Sequence, residues 1–357
     1  MVMIIYIRLN PYLKYVGSKM KREMQDTWVS KLENLSNENS RTRKNFRDIQ
    51  IGKYSVIQPY SMVRYFPIKI RAFIDMLRPM TTLAAFVSGI SIVVLYSSYY
   101  KIEFSIYDAF FAGIVLALLQ GAGQAINQSI REEVEIDKIN GKTYRPTVIG
   151  IISMKEGMIF SVSVAILAVS LGFYKNPVFG FCAFILAFFA FFYTVPPLRM
   201  KKRFVINNLW QGFSRGFLPW ITVWSLSERF DFLPFALGVI VSIWLTGYQT
   251  TKDFQDIPGD TKFGVKTIPV VMGIEKSRVF IASMGLISFI LLILFIIFKI
   301  ITWQFIILFV LIIPSIIIVK ELKTLKRSNV IENNSAWGMM YLTLGLFYIL
   351  PAAIARI

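Results

Sequence analysis

Histidine is absent from the 357-residue chain, and cysteine occurs once, at Cys182. The first absence excludes every histidine-based triad, zinc site and imidazole proton relay. The second excludes an intramolecular disulfide and any cysteine-cluster metal site. Charge is scarce too, since Asp, Glu, Lys and Arg together make up 17% of the residues against 55% hydrophobic ones. That balance excludes a disordered chain and is too apolar for an ordinary soluble domain. Any catalysis must rest on carboxylates, lysine, arginine, tyrosine and metals bound through oxygen.

What the chain has in quantity is long apolar runs. Nine segments, 80–99, 106–127, 157–174, 177–194, 205–226, 232–250, 279–298, 301–319 and 337–355, read as spans. Each has about 18–22 residues, enough to cross a hydrocarbon core of roughly 30 Å as helix. The fifth is the most polar, with Asn207, Asn208, Gln211 and Arg215, while the eighth, ITWQFIILFVLIIPSIIIV, is apolar almost throughout. The expected fold class is therefore all-α integral membrane with nine transmembrane helices. Residues 71–357 form this membrane domain, and residues 1–70 form a basic N-terminal extension. Within it, MIIYI is too short for a signal-peptide core, so no cleavage is expected. FPIKIRAFIDMLRPM mixes apolar and basic residues and reads as a surface-lying segment that turns into span one at Pro79.

Lys+Arg number 39 against 21 Asp+Glu, a formal charge of +18. The cations are not evenly spread. Residues 1–78 carry 15, and the loops after spans two, four, six and eight carry 5, 4, 5 and 4. The other side has only Lys101, Lys175, Arg229, Lys299 and Arg356. By the positive-inside rule the N-terminus and the even-numbered loops are cytoplasmic. Topology and attraction to anionic lipids thus account for the excess, and no nucleic-acid partner is expected.

The carboxylates cluster in a way that topology does not explain. Glu132, Glu133, Glu135, Asp137 and Glu156 follow span two, and Asp253, Asp256, Asp260 and Glu275 follow span six. Glu133 and Asp137 are four apart and share one helical face. Asp253, Asp256 and Asp260, spaced three and four, form another. Like charges at such spacings repel by about a few tenths of a kcal/mol per pair. Keeping two such stripes implies neutralisation by cations. Mg²⁺ is the first choice, because it binds a few carboxylates while retaining water and phosphate oxygens. Basic residues stand between the stripes: Lys142 and Arg145, then Arg199, Lys201, Lys202 and Arg203, then Lys252, Lys262 and Lys266. Carboxylates for Mg²⁺ with lysine and arginine for anionic oxygens are what a diphosphate site requires.

Three segments carry a family resemblance. QAINQSIREEVEIDKINGKTYRPTVIGIIS resembles the first signature of the UbiA superfamily of intramembrane prenyltransferases. FFYTVPPLRMKKRFVINNLWQGFSRG resembles its Tyr-x-x-Pro-Pro-Leu-Arg-x-Lys loop and the helix after it. TTKDFQDIPGDTKFGVKTIPVVMG resembles its second aspartate signature, and LRPMT before span one also fits. The resemblance extends over about residues 72–355. This chain departs from the pattern in four ways: one more residue precedes Tyr144-Arg145-Pro146, Thr147-Val148-Ile149 replaces the usual Ile-Pro-Ser, and two further changes fall in the first acidic stripe. Two extra residues follow Asn127, for which a helical bulge is expected, and Glu133 replaces the usual first Asp.

The resemblance implies a nine-helix bundle around a central cavity, with both acidic signatures at its cytoplasmic mouth. It implies two Mg²⁺ ions bridged by the diphosphate of a polyprenyl donor. Asn127, Glu133 and Asp137 are expected to hold one ion, and Asp253, Asp256 and Asp260 the other. Lys142, Arg145, Arg199, Lys202 and Lys252 are candidates for the diphosphate, and Tyr193 for steadying the allylic cation or the diphosphate. Asp137, Asp253, Asp260 and Tyr193 are the expected catalytic set. Span aromatics such as Phe184, Phe189, Trp210, Trp220 and Trp244 are expected to line a dry pocket. Gly121, Gly123, Gly212 and Gly216 suggest close helix packing, and Arg215 is expected to face the interior, as structure or against the acceptor.

The implied activity is transfer of a polyprenyl group to a lipophilic acceptor. The wording of DFQDIPGDTKFGVKTIPV resembles the branch that includes digeranylgeranylglyceryl phosphate and chlorophyll synthases, which favours a lipid or large-ring acceptor. Two alternatives stand beside it: a membrane terpene cyclase of the same superfamily, and a transporter using intramembrane carboxylates. The transporter requires acids near mid-span, whereas those here lie at span ends.

Overall fold

Proline and polar caps set where the helices begin. In this computed structural model residues 67–142, 145–323 and 333–354 are described, all within the unit 65–357. The expected extension, 1–70, lies outside the described residues except for its last four. Helix α1 (Ile68–Met76) precedes α2 (Pro79–Tyr99), which starts on Pro79 after Arg78 in left-handed backbone (φ 55°). α3 (Ile106–Ser129) is capped by Ser105, whose hydroxyl accepts from the Asp108 amide. The short α4 (Arg131–Ile139) and α5 (Pro146–Ile149) follow. α6 (Met154–Lys175) opens with a reciprocal capping box between Ser153 and Glu156. α7 (Pro177–Phe192) has Pro177 in its first turn, with Asn176 accepting from the Val178 and Phe179 amides.

The chain then passes through a 3₁₀ turn, Met200–Lys202, to α8 (Ile206–Gly212). A π-helical turn (Phe213–Phe217) joins α8 to α9 (Leu218–Trp224). α10 (Leu233–Tyr248) runs on as a 3₁₀ turn to Lys252, and α11 (Ile257–Lys262) is short. α12 (Ile268–Ile297) contains a break at Gly273, whose φ of 74° suits glycine. A 3₁₀ stretch (Trp303–Leu311) leads into α13 (Ile312–Glu321), and α14 (Ser335–Ile354) ends the described chain. Every regular element among the described residues is helical.

Seven of these are long and apolar enough to cross a membrane: α2, α3, α6, α10 with its extension to Lys252, α12, the 3₁₀–α13 run, and α14. Two expected spans fall short of that length. The fourth is the 16-residue α7. The fifth is broken into α8, the π turn and α9. Pro219 explains part of the break, because it has no amide hydrogen for the carbonyl four residues back.

The outward side chains of α6, α12 and α13, such as Ile159, Ile166, Val279, Leu286 and Ile313, are exposed and apolar. Such a continuous surface suits lipid rather than water. The protein is accordingly a multi-pass membrane protein. Gly212 and Gly216 serve as close-packing positions. A Cβ on Gly216 would lie 2.6 Å from Ser242 Cα, and one on Gly212 would collide with Thr246.

Candidate functional site at the acidic end of the bundle

The first acidic stripe depends on a break. α3 ends at Ser129, Ile130 is extended (φ −81°, ψ 128°), and α4 restarts the helix. The extra residues after Asn127 are therefore absorbed by a full interruption rather than the expected bulge. Asn127 stays on α3, where its amide donates to the Thr194 hydroxyl at 3.0 Å. Glu133 and Asp137 lie one turn apart on α4 and are both buried.

The second stripe begins where the α10 extension ends. Asp253 and Asp256 are buried along a tight turn leading into α11, and Asp260 is buried within α11. The Asp256 amide donates to the Asp253 carbonyl at 3.1 Å, and the Asp260 amide to the Asp256 carbonyl at 2.8 Å. Helix-like spacing thus carries from the turn into the first turn of α11.

Two lysines tie the stripes together. Lys142 Nζ lies 2.6 Å from Asp256 Oδ1 and 3.5 Å from Asp137 Oδ1. Lys201 pairs with Glu133 and stands 3.7 Å from Asp260 Oδ1. Asn140 adds a neutral link, accepting from the Gly259 amide at 2.8 Å and donating to Asp256 at 3.4 Å. Gly259 has no room for a side chain, since a Cβ there would meet the Asn140 side chain at 2.8 Å and the Ile136 carbonyl at 2.9 Å. Asp137 and Asp260 thus belong to one cluster at one end of the bundle.

The remaining cations complete it. Arg145 pairs with Asp137 at 2.9 Å. Arg199 and Lys202 hold Glu132 at 2.7 and 2.6 Å, and Arg199 lies 3.9 Å from Glu133. Lys252 pairs with Asp253 at 3.0 Å and donates to the Tyr193 hydroxyl at 2.7 Å, which in turn donates to Asn207 at 2.9 Å.

Burial and neighbouring charge split the acids. Burial, reinforced by Asp256, Asp253 and Glu133 against the pull of Lys201, pushes the Asp260 carboxyl up to about 7. Asp253 is raised, mainly by burial. Burial also acts on Asp256, but Lys142 outweighs it and holds that carboxyl below its ordinary range. Lys201 loses solvation yet is held well above the usual lysine range by Glu133 and Asp260.

The donor atoms fit a hard cation. Both carboxylate oxygens of Asp260, Oδ2 of Asp253 and Oε1 of Glu133 are buried without a hydrogen bond. Among the described residues no three acidic side chains converge as a ready metal set. Lys142 and Lys201 lie between them instead.

A cleft of about 1270 Å³, its open part included, starts at this cluster. Asn127, Glu133, Asp137, Lys142, Arg145, Tyr193, Lys252 and Asp256 line it, whereas Asp253, Asp260, Arg199 and Lys202 do not. Farther in it passes Gln124, Gln211 and Arg215 to Leu116, Pro219 and Tyr348. The aromatic expectation needs correcting. Of the span aromatics named above, Phe189 and Tyr193 line the cleft, together with Trp337, Tyr341 and Tyr348 of α14. Trp220 and Trp244 are buried in helix packing, and Phe184 is exposed.

The sequence reading counted Lys201 among the basic residues but gave no individual role to it, Asn140 or Asn207. Lys201 and Lys202 are adjacent, and only the chain reversal decides which turns inward. Arg199 is left-handed (φ 44°), and the Lys201 amide donates to the Tyr193 carbonyl at 2.9 Å. Asn140 had a signal, since it lies three residues after Asp137 within the first quoted signature.

A family model described as the UbiA prenyltransferase family matches residues 83–345. The digeranylgeranylglyceryl phosphate synthase of Methanococcoides burtonii is 27% identical over 209 residues, 57% of this chain and 72% of that protein. A solved structure concerned with digeranylgeranylglyceryl phosphate synthase in membranes superposes with TM-score 0.54 at 25% identity, covering 81% of this chain and 99% of the other. A UbiA homologue from Archaeoglobus fulgidus, bound to GPP and Mg²⁺, superposes with TM-score 0.61 at 16% identity, covering 80% and 100%.

Proposed function

Because the chain belongs to the UbiA prenyltransferase family, we propose that it moves a polyprenyl group from its diphosphate to a lipophilic acceptor inside the cleft. The observation that carries this reading is the joining of the two acidic stripes through Lys142 and Lys201 at the mouth of a cleft that runs into the bundle. The GPP and Mg²⁺ bound to the Archaeoglobus fulgidus homologue support the donor class and the metal. The Methanococcoides burtonii relative supports a lipid acceptor.

Two Mg²⁺ ions are assigned to the stripes, one to Asn127, Glu133 and Asp137, the other to Asp253, Asp256 and Asp260. When bound, the metal neutralises diphosphate and makes it a competent leaving group. The side chains do the rest. Lys142, Arg145 and Lys252 take diphosphate oxygens at the cleft wall, and Arg199 and Lys202 add positive charge behind them. The bond between the first prenyl carbon and oxygen breaks, and its electron pair leaves with the diphosphate. The allylic cation left behind is shielded from water by the cleft and faces the Tyr193 ring. The acceptor's nucleophile closes on that carbon and loses its proton.

In this reading α7 and the α8–α9 run also cross the membrane, which makes nine spans around the cleft. The acidic end faces the cytoplasm, as the cation distribution indicates. The test is purified protein with prenyl diphosphates of several lengths and a panel of acceptors. Mg²⁺-dependent diphosphate release with a prenylated acceptor is the expected result. Cyclised hydrocarbon in the absence of acceptor would assign the chain to the cyclases. Ion flux in liposomes without diphosphate release would overturn the enzyme reading.

A further inference from the structure

Every carboxylate assigned to the metal already faces a cation of the protein itself. Lys201 pairs with Glu133 and lies 3.7 Å from Asp260 Oδ1. Lys142 lies 2.6 Å from Asp256 Oδ1 and 3.5 Å from Asp137 Oδ1, and Arg145 adds a second cation to Asp137. Lys252 holds Asp253 at 3.0 Å. With Glu132 on Arg199 and Lys202, the described cluster sets six carboxylates against six cations. Among the described residues its formal charge therefore balances.

A balanced, buried cluster draws in neither a divalent cation nor an anion strongly. A divalent ion on its own competes with an ammonium for each carboxylate and leaves surplus positive charge in a setting where charge is costly. A diphosphate on its own leaves surplus negative charge. The two together cancel in large part. The bridging lysines are suited to such an exchange. Each is a compact charge on a flexible stem, unlike the planar fork of arginine, and both Lys142 and Lys201 line the cleft. They neutralise the acids without using up their oxygens, since both oxygens of Asp260 and Oε1 of Glu133 are buried without a hydrogen bond.

We infer that Lys142 and Lys201 are built-in competitors of the metal. As counter-ions they hold the two stripes together and keep a divalent cation from binding tightly on its own. They release the carboxylates when a diphosphate in the cleft offers the ammonium groups new oxygens. Metal and diphosphate then bind as a pair, each raising the affinity of the other by the same factor. The exchange guards against half-loaded states, because diphosphate without metal is a poor leaving group. This inference rests on the prenyl-transfer reading for the diphosphate, but not for the competition between lysine and metal.

The test uses the full chain in detergent, with Mn²⁺ as a paramagnetic stand-in for Mg²⁺. The electron paramagnetic resonance signal of free Mn²⁺ measures binding, after correction for the complex that Mn²⁺ forms with diphosphate in buffer. In the unaltered protein, inorganic diphosphate is expected to tighten Mn²⁺ binding by about 5- to 150-fold, the usual range of coupling between two sites. Lys201→Met and Lys142→Met are each expected to tighten the binding of Mn²⁺ alone, by at least about fivefold, and to shrink the effect of diphosphate. Lys201→Arg keeps the charge and is expected to stay close to the unaltered protein in Mn²⁺ binding. Binding of Mn²⁺ alone as tight as with diphosphate in the unaltered protein overturns the inference, whether or not the variants fold. So does a folded Lys201→Met that binds Mn²⁺ alone no more tightly. If diphosphate neither binds nor assists Mn²⁺ in any of these proteins, the prenyl-transfer reading fails. Tighter Mn²⁺ binding in the methionine variants would then still uphold the competition.

Discussion

Lys142 reaches Asp256 at 2.6 Å, across four expected spans of intervening chain. The same ammonium lies 3.5 Å from Asp137, so one side chain is shared by the two acidic stripes. With Lys201 doing the same for Glu133 and Asp260, the site is a lattice of alternating charge.

Removing an oxygen donor from the second stripe tests the metal assignment. Asp253→Ala and Asp260→Ala are each expected to abolish diphosphate release while the protein still inserts into and extracts from membranes normally. Asp260→Asn keeps the shape and is expected to fail in the same way. Full activity in any of these variants would remove the stripe from the reaction.

Chelation tests the same assignment without mutation. EDTA is expected to stop turnover, and excess Mg²⁺ to restore it to the starting rate. Turnover that persists after exhaustive chelation and dialysis would contradict a metal-dependent site.

Lys142→Met leaves Asp256 and part of Asp137 uncompensated in a buried setting. Breaking a buried pair by removing one partner costs about 3 to 5 kcal/mol. The expected outcome is a lower Tm in detergent, partly recovered when Asp256→Asn is added. An unchanged Tm in the single variant would mean that the pair is solvated rather than structural.

Tyr193→Phe removes the hydroxyl that accepts from Lys252 and donates to Asn207. Hydrogen bonds to charged groups contribute about 1.5 to 3 kcal/mol. A fall in kcat/KM for the donor of about tenfold or more is expected, with little change in Tm. An unaffected rate would reduce Tyr193 to a packing residue.

Much of this was legible in the residues. Long apolar runs placed the edges of α2, α6 and α14 within a few positions, because hydropathy alone decides whether a segment can leave water. The four-residue spacing of Glu133 and Asp137 put both on one face of α4. What hydropathy could not show was the state of the fifth span, where Pro219 and the polar residues before it break one run into three pieces. Nor could it rank Phe189 above Trp220 as a cleft residue, since both are large aromatics on apolar helices and only the packing of α14 separates them. Lys201 went unassigned for a related reason: the inward turn of that loop is set by backbone geometry at Arg199, not by composition.

The extended residue at Ile130 has a consequence for how this acidic segment tolerates length change. In an unbroken helix, two added residues would rotate everything beyond them by about 200°, at about 3.6 residues per turn, and swing Glu133 and Asp137 away from the opposing aspartates. Interrupting the helix at Ile130 sets a new direction, so α4 does not continue the phase of α3. The membrane-crossing rod and its charged tip are therefore two separately aimed segments, hinged on one residue.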